Sequence, residues 1–305
     1  MRTLSKPWVV TVATAVLAAV SLWTIDFYRH RHVRSDQDLF RYLPQNDATI
    51  FYVNVAAMRQ TGALGLFAGS KAAEETDYRA FVRETRFDYS RDVDALAGAA
   101  GPDQVVFLVR GRFDWARLRA YAMAHGGNCA SKLCNAPTSK PGRWASFLPI
   151  QPDVMALALS ANPNAVEVER PPGHFLRETM PSQPVWARLS RRLLANPASL
   201  PVPLRIFAIS LQSANPVVLS LSPDAGSTRF KLQLDAQCSS AAMAETIRTQ
   251  FDIDTKLLKL GLARAHIVPN PADLSGLLSS GAFQVVDRRL VATWPVPKEL
   301  LASLE

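Results

Sequence analysis

The stretch Pro7–Ile25, PWVVTVATAVLAAVSLWTI, constrains everything after it, because it runs for 19 residues without a charge. At about 1.5 Å per helical residue it reaches roughly 30 Å, the thickness of a bilayer's hydrocarbon core. No polar face interrupts it, so it does not read as an amphipathic helix of a soluble body. The head before it, MRTLSK, carries Arg2 and Lys6, as the charged end of a secretory signal does. The apolar run is longer than that of a cleavable signal. Its Ala13-Thr14-Ala15 lies inside the run, and its exit is bulky, with Leu22, Trp23 and Ile25. Trp8 and Trp23 sit near the two ends, where amphipathic rings prefer the interface. The sequence predicts an uncleaved signal anchor over residues 1–25, with the lipid bilayer as the partner of residues 7–25.

Arg2 and Lys6 precede the run, and Arg29, Arg31 and Arg34 follow it. The positive-inside count is therefore nearly balanced, but long domains translocate largely regardless of charge. The body is expected outside the cytoplasm, on a single-pass protein of a bacterial inner membrane, in the periplasm. Thr11, Ala15 and Ala19 recur every four residues and line one stripe. Small residues there let two helices approach and pair as a homodimer. The plain alternative is a lipid-facing, Ala-rich helix.

The 305 residues carry a formal net charge of +8. A body of about 280 residues is long enough for one large core or two smaller ones. Arg outnumbers Lys, but the basic residues are scattered, not gathered into a stripe interleaved with aromatics. That argues against nucleic acid as a partner.

Residues 26–41 form a charged juxtamembrane link. Thr49–Val55 is rich in β-branched and aromatic residues and predicts a strand, and Ala56–Phe67 a short helix. Tyr78, Phe81, Val82 and Thr85 fall at helical spacing. Asp88, Asp92 and Asp94 do not fit the ligand spacing of a calcium loop, and Arg91 sits among them. They read as helix caps and a solvated first turn. Gln104–Val109 predicts a strand, and Phe113–His125 a helix that stops at Gly126-Gly127.

Three segments together, LPQNDATIFYVNVAAMR, FVRETRFDYSRDVDALA and GRFDWARLRAYAMAHGG, resemble a group of uncharacterised membrane-anchored proteins from acidobacteria. They are also similar to bacterial extracytoplasmic domains of unknown function that open with a like Leu-Pro, strand, helix pattern. The resemblance covers about residues 39–127. It implies location and architecture, and it brings no catalytic residues.

Cys129 and Cys134 stand five apart in NCASKLCN. Outside the cytoplasm such a pair can close a small loop as a disulfide. Free thiols are the second reading. The third is a metal site completed by His125, although a structural zinc normally takes four ligands. Cys238 is left over and reads as a small buried hydrophobe.

Arg143–Ile150 and Val154–Ser160 predict a hairpin. Residues 169–184, dense in Pro and polar residues, are the best internal boundary; His174 lies there alone. Gln183–Asn196 reads as a helix with Trp186, Leu189, Leu193 and Leu194 on its apolar face. Its Arg188, Arg191 and Arg192 face either solvent or anionic lipid. Leu204–Leu211, Val217–Leu221 and Thr228–Leu234 predict three strands. Ser239–Phe251 predicts a helix continued over Lys256–Leu262, with a weak Asp252-x-Asp254 at the junction. Arg264–Val268 reads as a strand and Pro271–Leu278 as a helix. A second hairpin spans Phe283–Val286 and Leu290–Thr293, and Pro297–Leu304 is a final helix.

The expected fold class is α+β: an N-terminal transmembrane helix, then two antiparallel or mixed sheet halves covered by helices. The spans are 42–170 and 183–305, with 171–182 as linker. A duplication would account for Phe147, Ile150, Val154 and Ala156 lining up with Phe283, Val286, Leu290 and Ala292. The motifs of dinucleotide binding, phosphate loops, zinc proteases and serine hydrolases are not found. No cofactor is implied. The expected function is an extracytoplasmic binding or assembly module with a protein partner in the cell envelope. The alternative is an envelope hydrolase with an unrecognised site, which a deep polar pocket around His174 or His266, with an acid and a hydroxyl or thiol in reach, would favour.

Overall fold

The computed structural model describes residues 33, 35–44, 47–67, 76–166, 180–223 and 230–303. Residues 7–25, with Thr11, Ala15 and Ala19, lie outside the described residues. Among the described residues no helix is long and apolar enough to cross a membrane.

The described residues open on α1 (Asp36–Leu39) and a tight 3-10 turn, Phe40–Tyr42. Next come β1 (Thr49–Val53), α2 (Val55–Gln60), α3 (Leu64–Phe67), α4 (Thr76–Thr85) and α5 (Tyr89–Asp92). The hairpin of β2 (Val93–Ala100) and β3 (Gln104–Gly111) leads into α6 (Trp115–Ala124). Four strands follow: β4 (Asn128–Ala130), β5 (Leu133–Pro137), β6 (Trp144–Gln151) and β7 (Val154–Ser160). Then β8 (Val185–Leu189) precedes α7 (Arg191–Ala195), α8 (Val202–Ser210), β9 (Val217–Pro223) and β10 (Phe230–Gln237). The long α9 (Ala241–Arg264), α10 (Leu274–Ser279), β11 (Ala282–Val286), β12 (Arg289–Val296) and α11 (Lys298–Ser303) complete it.

The two expected sheet halves are a single twelve-stranded antiparallel sheet, in the order β11-β12-β10-β9-β8-β1-β2-β3-β7-β6-β5-β4. The α+β class holds, and the division into two sheets does not. The reason is β8, which pairs with β1 from Ile50↔Arg188 to Val53↔Val185 and with β9 from Val185↔Leu221 to Leu189↔Val217. Both ends of the β1–β8 pair carry extra bonds. The Asn54 amide donates to Pro184 O at 2.7 Å, and the Ser190 amide to Thr49 Oγ1 at 3.2 Å. The residues proposed as a repeat are also not equivalent. Phe147 and Ala156 belong to cores on opposite faces of the sheet, whereas Phe283 and Ala292 share one. An irregularity between Pro149 and Gln151 shifts the first hairpin, so Ala156 opposes Leu148 while Ala292 opposes Phe283.

Strand alternation assigns the two faces. One face of the central strands carries Ile50, Tyr52, Ala97, Leu108, Ala156 and Trp186, covered by Leu39, Phe40 and Leu43. Phe40 stacks on Trp186 with ring centroids 5.3 Å apart. The other face carries Val53, Val93, Val109 and Met155 near the centre. Toward β12 it carries Leu234, Ala236, Leu290 and Trp294 under α8, α9 and α10. Val53 and Leu64 pack in both clusters of that face, which makes them one continuous layer.

Three local expectations change. Leu204–Leu211 is helical: Pro201 and Pro203 bracket the start of α8, where missing N–H donors cost little. Gln183–Asn196 divides into β8 and α7, with Ser190 capping α7 by accepting from the Leu193 amide at 3.1 Å. Arg264–Val268 is the end of α9 and an irregular segment. Strand β2 escaped the sequence pattern because it is built of Ala and Gly. A Cβ on Gly98 would meet the Phe51 ring at 2.1 Å, so the strand needs that glycine.

Phe251 is fully buried, edge-on to Phe207 at 5.0 Å and to Phe283 at 5.3 Å. It therefore links α8, α9 and β11. Phe251→Ala is expected to cost about 3–5 kcal/mol, read as a lowered urea midpoint with an unchanged slope.

Candidate functional site

The acidic run of the first half is occupied by local bonds. Asp88 caps α5, accepting from the Ser90 amide at 2.9 Å and Ser90 Oγ at 2.7 Å, while Tyr78 donates to it at 3.2 Å. Asp92 is buried and accepts from the Asp88 amide at 2.9 Å and from Arg91 Nη2 at 3.0 Å; Arg112 Nε lies 3.5 Å away. Burial pushes the Asp92 carboxyl up. The Arg91 and Asp88 hydrogen bonds and the two guanidinium charges outweigh that and hold it below the ordinary aspartate range. Asp94 pairs with Arg59 at 3.5 Å. Asp252 pairs with Arg248, and Asp254 accepts from Gln250 Nε2 at 2.8 Å. Asp252 and Asp254 therefore serve separate structural bonds. Among the described residues no group of three His, Cys, Asp or Glu could hold a metal ion.

A polar knot anchors α1 to the sheet. Asp36 accepts from Tyr52 Oη and Arg110 Nη1. Burial raises the Tyr52 phenol, and the Asp36 carboxylate raises it further.

Cys129 and Cys134 are cross-strand partners in the β4–β5 hairpin and are disulfide-bonded. Cys238 is a free, buried thiol. His125 contacts Glu84 at 3.0 Å and stacks on Tyr121. His266 is exposed just past the end of α9, with φ 55°. Neither imidazole is hydrogen-bonded to a hydroxyl or a thiol among the described residues. His174 lies outside them. A groove of about 560 Å³ between α10 and α11 is lined by Pro269, Pro271, Leu277, Ser280, Pro297 and Lys298. With Pro295 it has four prolines, which offer no N–H donor; Ser279, Ser280, Lys298 and Glu299 are the polar groups of its wall.

The feature that stands out is apolar. Ten large hydrophobic side chains are exposed among the described residues, and eight of them lie on α8, on α9 or just after α9. On α8 they are Val202, Ile206 and Ile209, and on α9 Ile253, Leu257 and Leu260. Each set has the spacing i, i+4, i+7, one stripe of a helix. Ile267 and Val268 continue the second set, and exposure runs from 37% at Ile206 to 83% at Val268. The opposite sides of the helices are buried, through Phe207 and Ala208 on α8 and Ala244, Ile247 and Phe251 on α9. Ser210 Oγ meets Asp254 at 3.4 Å between the helices. Both apolar stripes therefore face outward, side by side. The 3.6-residue recurrence of Val202, Ile206 and Ile209 is the signal a helical reading of 202–210 would have used.

No family model matches the chain, and no curated protein does. Two solved structures are similar to it. Crystal form III of TP0453 has a TM-score of 0.48 and 13% identity over 87% of this chain and 96% of its own. Crystal form I of TP0453 has a TM-score of 0.48 and 11% identity, over 89% and 98%.

Asp92 supplies the pH test. Its depressed folded-state pKa contributes stability that is present above the ordinary aspartate range and is lost as pH falls through the folded value. Asp92→Asn is expected to cost about 1–3 kcal/mol at neutral pH. Paired urea titrations of parent and variant should show the gap shrinking below about pH 4.

Proposed function

We propose that this chain is a membrane-held, extracytoplasmic binding or assembly module, with residues 7–25 in the lipid and the sheet body outside the cytoplasm. The observation that carries the binding role is the paired apolar face of α8 and α9. Exposed apolar side chains gathered on one face of a well-cored body mark interaction sites. Away from these helices only Met123 and Val286 are exposed large apolar side chains among the described residues, while Leu39, Leu43 and Leu108 are fully enclosed. The charge-free run of 19 residues supports attachment to the membrane. The Cys129–Cys134 bond supports an oxidising compartment. The binding surface is separate from the disulfide hairpin, which sits at the far edge of the sheet.

The test is a fusion after Glu305. Alkaline phosphatase there is expected to be active and a cytoplasm-dependent fluorescent reporter dark. The chain should also stay in the membrane fraction through a carbonate wash. A bright reporter with inactive phosphatase, or release of the chain by carbonate, would overturn the reading.

A further inference from the structure

We infer that the α8–α9 face docks on an anionic bilayer surface. The inference rests on the membrane-held reading above and names the partner of that surface. Two observations carry it, and a third bounds the distance to the bilayer.

The first is charge. From Arg191 to Pro223 there are three arginines and no acid; from Thr255 to Val268 there are Lys256, Lys259 and Arg264 and no acid. The two acids just before that stretch are both engaged, Asp252 with Arg248 and Asp254 with Gln250 and Ser210. An apolar stripe flanked by Lys and Arg is the composition of helices that lie in the plane of the interface. The aliphatic side chains enter the acyl boundary, and the cations reach the phosphates along their own flexible stems.

The second observation excludes a second copy as the better occupant. Pairing α9 with itself across a two-fold axis would set Lys256, Lys259 and Arg264 against the same three residues. The facing stretch offers no acid to receive them. Like charges so placed are repulsive, whereas an acidic leaflet satisfies both the apolar and the cationic parts.

The third is reach. Seven residues, 26–32, separate Ile25 from buried Val33. Fully extended, that link spans at most roughly 30 Å. The link bounds how far the body stands from the bilayer; Val33 packs on the face of the sheet opposite α8 and α9, so reach by itself does not select the docking face.

The experiment uses the full chain in vesicles of phosphatidylcholine with or without phosphatidylglycerol. An environment-sensitive fluorophore is attached to a single introduced thiol under non-reducing conditions. Cys129 and Cys134 are then bonded and Cys238 is buried. Leu257→Cys reports the face. Lys231→Cys, exposed on the opposite face of the sheet, is the control, and Ala15→Cys reports on residues 7–25. The lipid carries a spin-label quencher. Quenching at position 257 is expected with phosphatidylglycerol and not without it, with none at 231. K256E/K259E should lower the docked-to-free ratio about tenfold or more.

Quenching at 15 but not at 257 would overturn docking and leave the membrane-held reading intact. No quenching at 15 would sink that reading, while 257 still reports on the face. Equal quenching at 257 in both lipids would overturn the anionic preference. A fluorescence shift at 257 that tracks protein concentration in detergent, without lipid, would assign the face to a second copy.

Discussion

The antiparallel pair of β1 and β8 is the constraint on which the rest of the molecule depends. It is a short junction, Ile50 to Val53 against Arg188 to Val185, yet each strand has another partner on its far side. Breaking it would expose backbone donors and acceptors at the centre of a buried sheet, where unpaired groups are costly. It would also split the layer that Val53 and Leu64 share between α2 and α8. The aromatic contact of Phe40, Tyr52 and Trp186 sits on the other side of the same pair. Outward from this seam the strands run β1, β2, β3, β7, β6, β5, β4 on one side and β8, β9, β10, β12, β11 on the other.

With the sheet closed at its centre, the charged groups fall into structural service. Asp36 ties α1 down through Tyr52 and Arg110. Asp92 gathers the start of β2 with Arg91 and Arg112. Asp254 joins α9 to α8 through Ser210. Each carboxylate gains hydrogen bonds that offset its desolvation. The seam of Ser210 and Asp254, together with the Phe207–Phe251 contact, fixes the two helices side by side. Their apolar stripes thus form one surface instead of two independent helix faces.

That surface carries a standing cost. Each exposed aliphatic side chain forgoes up to about 1.5–3 kcal/mol that burial would supply. A chain of this length had room to bury them, as its fully enclosed Phe251 and Leu290 show. Keeping Val202, Leu257 and Val268 outside is consistent with a face shaped for contact.

Much of the local structure was legible in the sequence. QVVFLV announced β3, the hairpin expected over Arg143–Ile150 and Val154–Ser160 is β6 and β7, and the helix expected over Ser239–Phe251 and continued over Lys256–Leu262 is α9. These signals are short-range: strand alternation, capping and turn chemistry act within a few residues. The α+β class and the strand-rich body followed from them. What failed was decided by partners distant in the chain. Val185–Leu189 has a pattern that fits a helix, and it became a strand because β1 and β9 lie on either side of it. The Ala- and Gly-rich β2 has weak strand propensity, and it is extended because β1 and β3 complete its ladder and Phe51 needs the space over Gly98. A single sheet in place of two, and an apolar face made from two helices, are properties of packing. Sequence spacing sets which side of each helix is apolar; only the tertiary structure decides whether that side is covered.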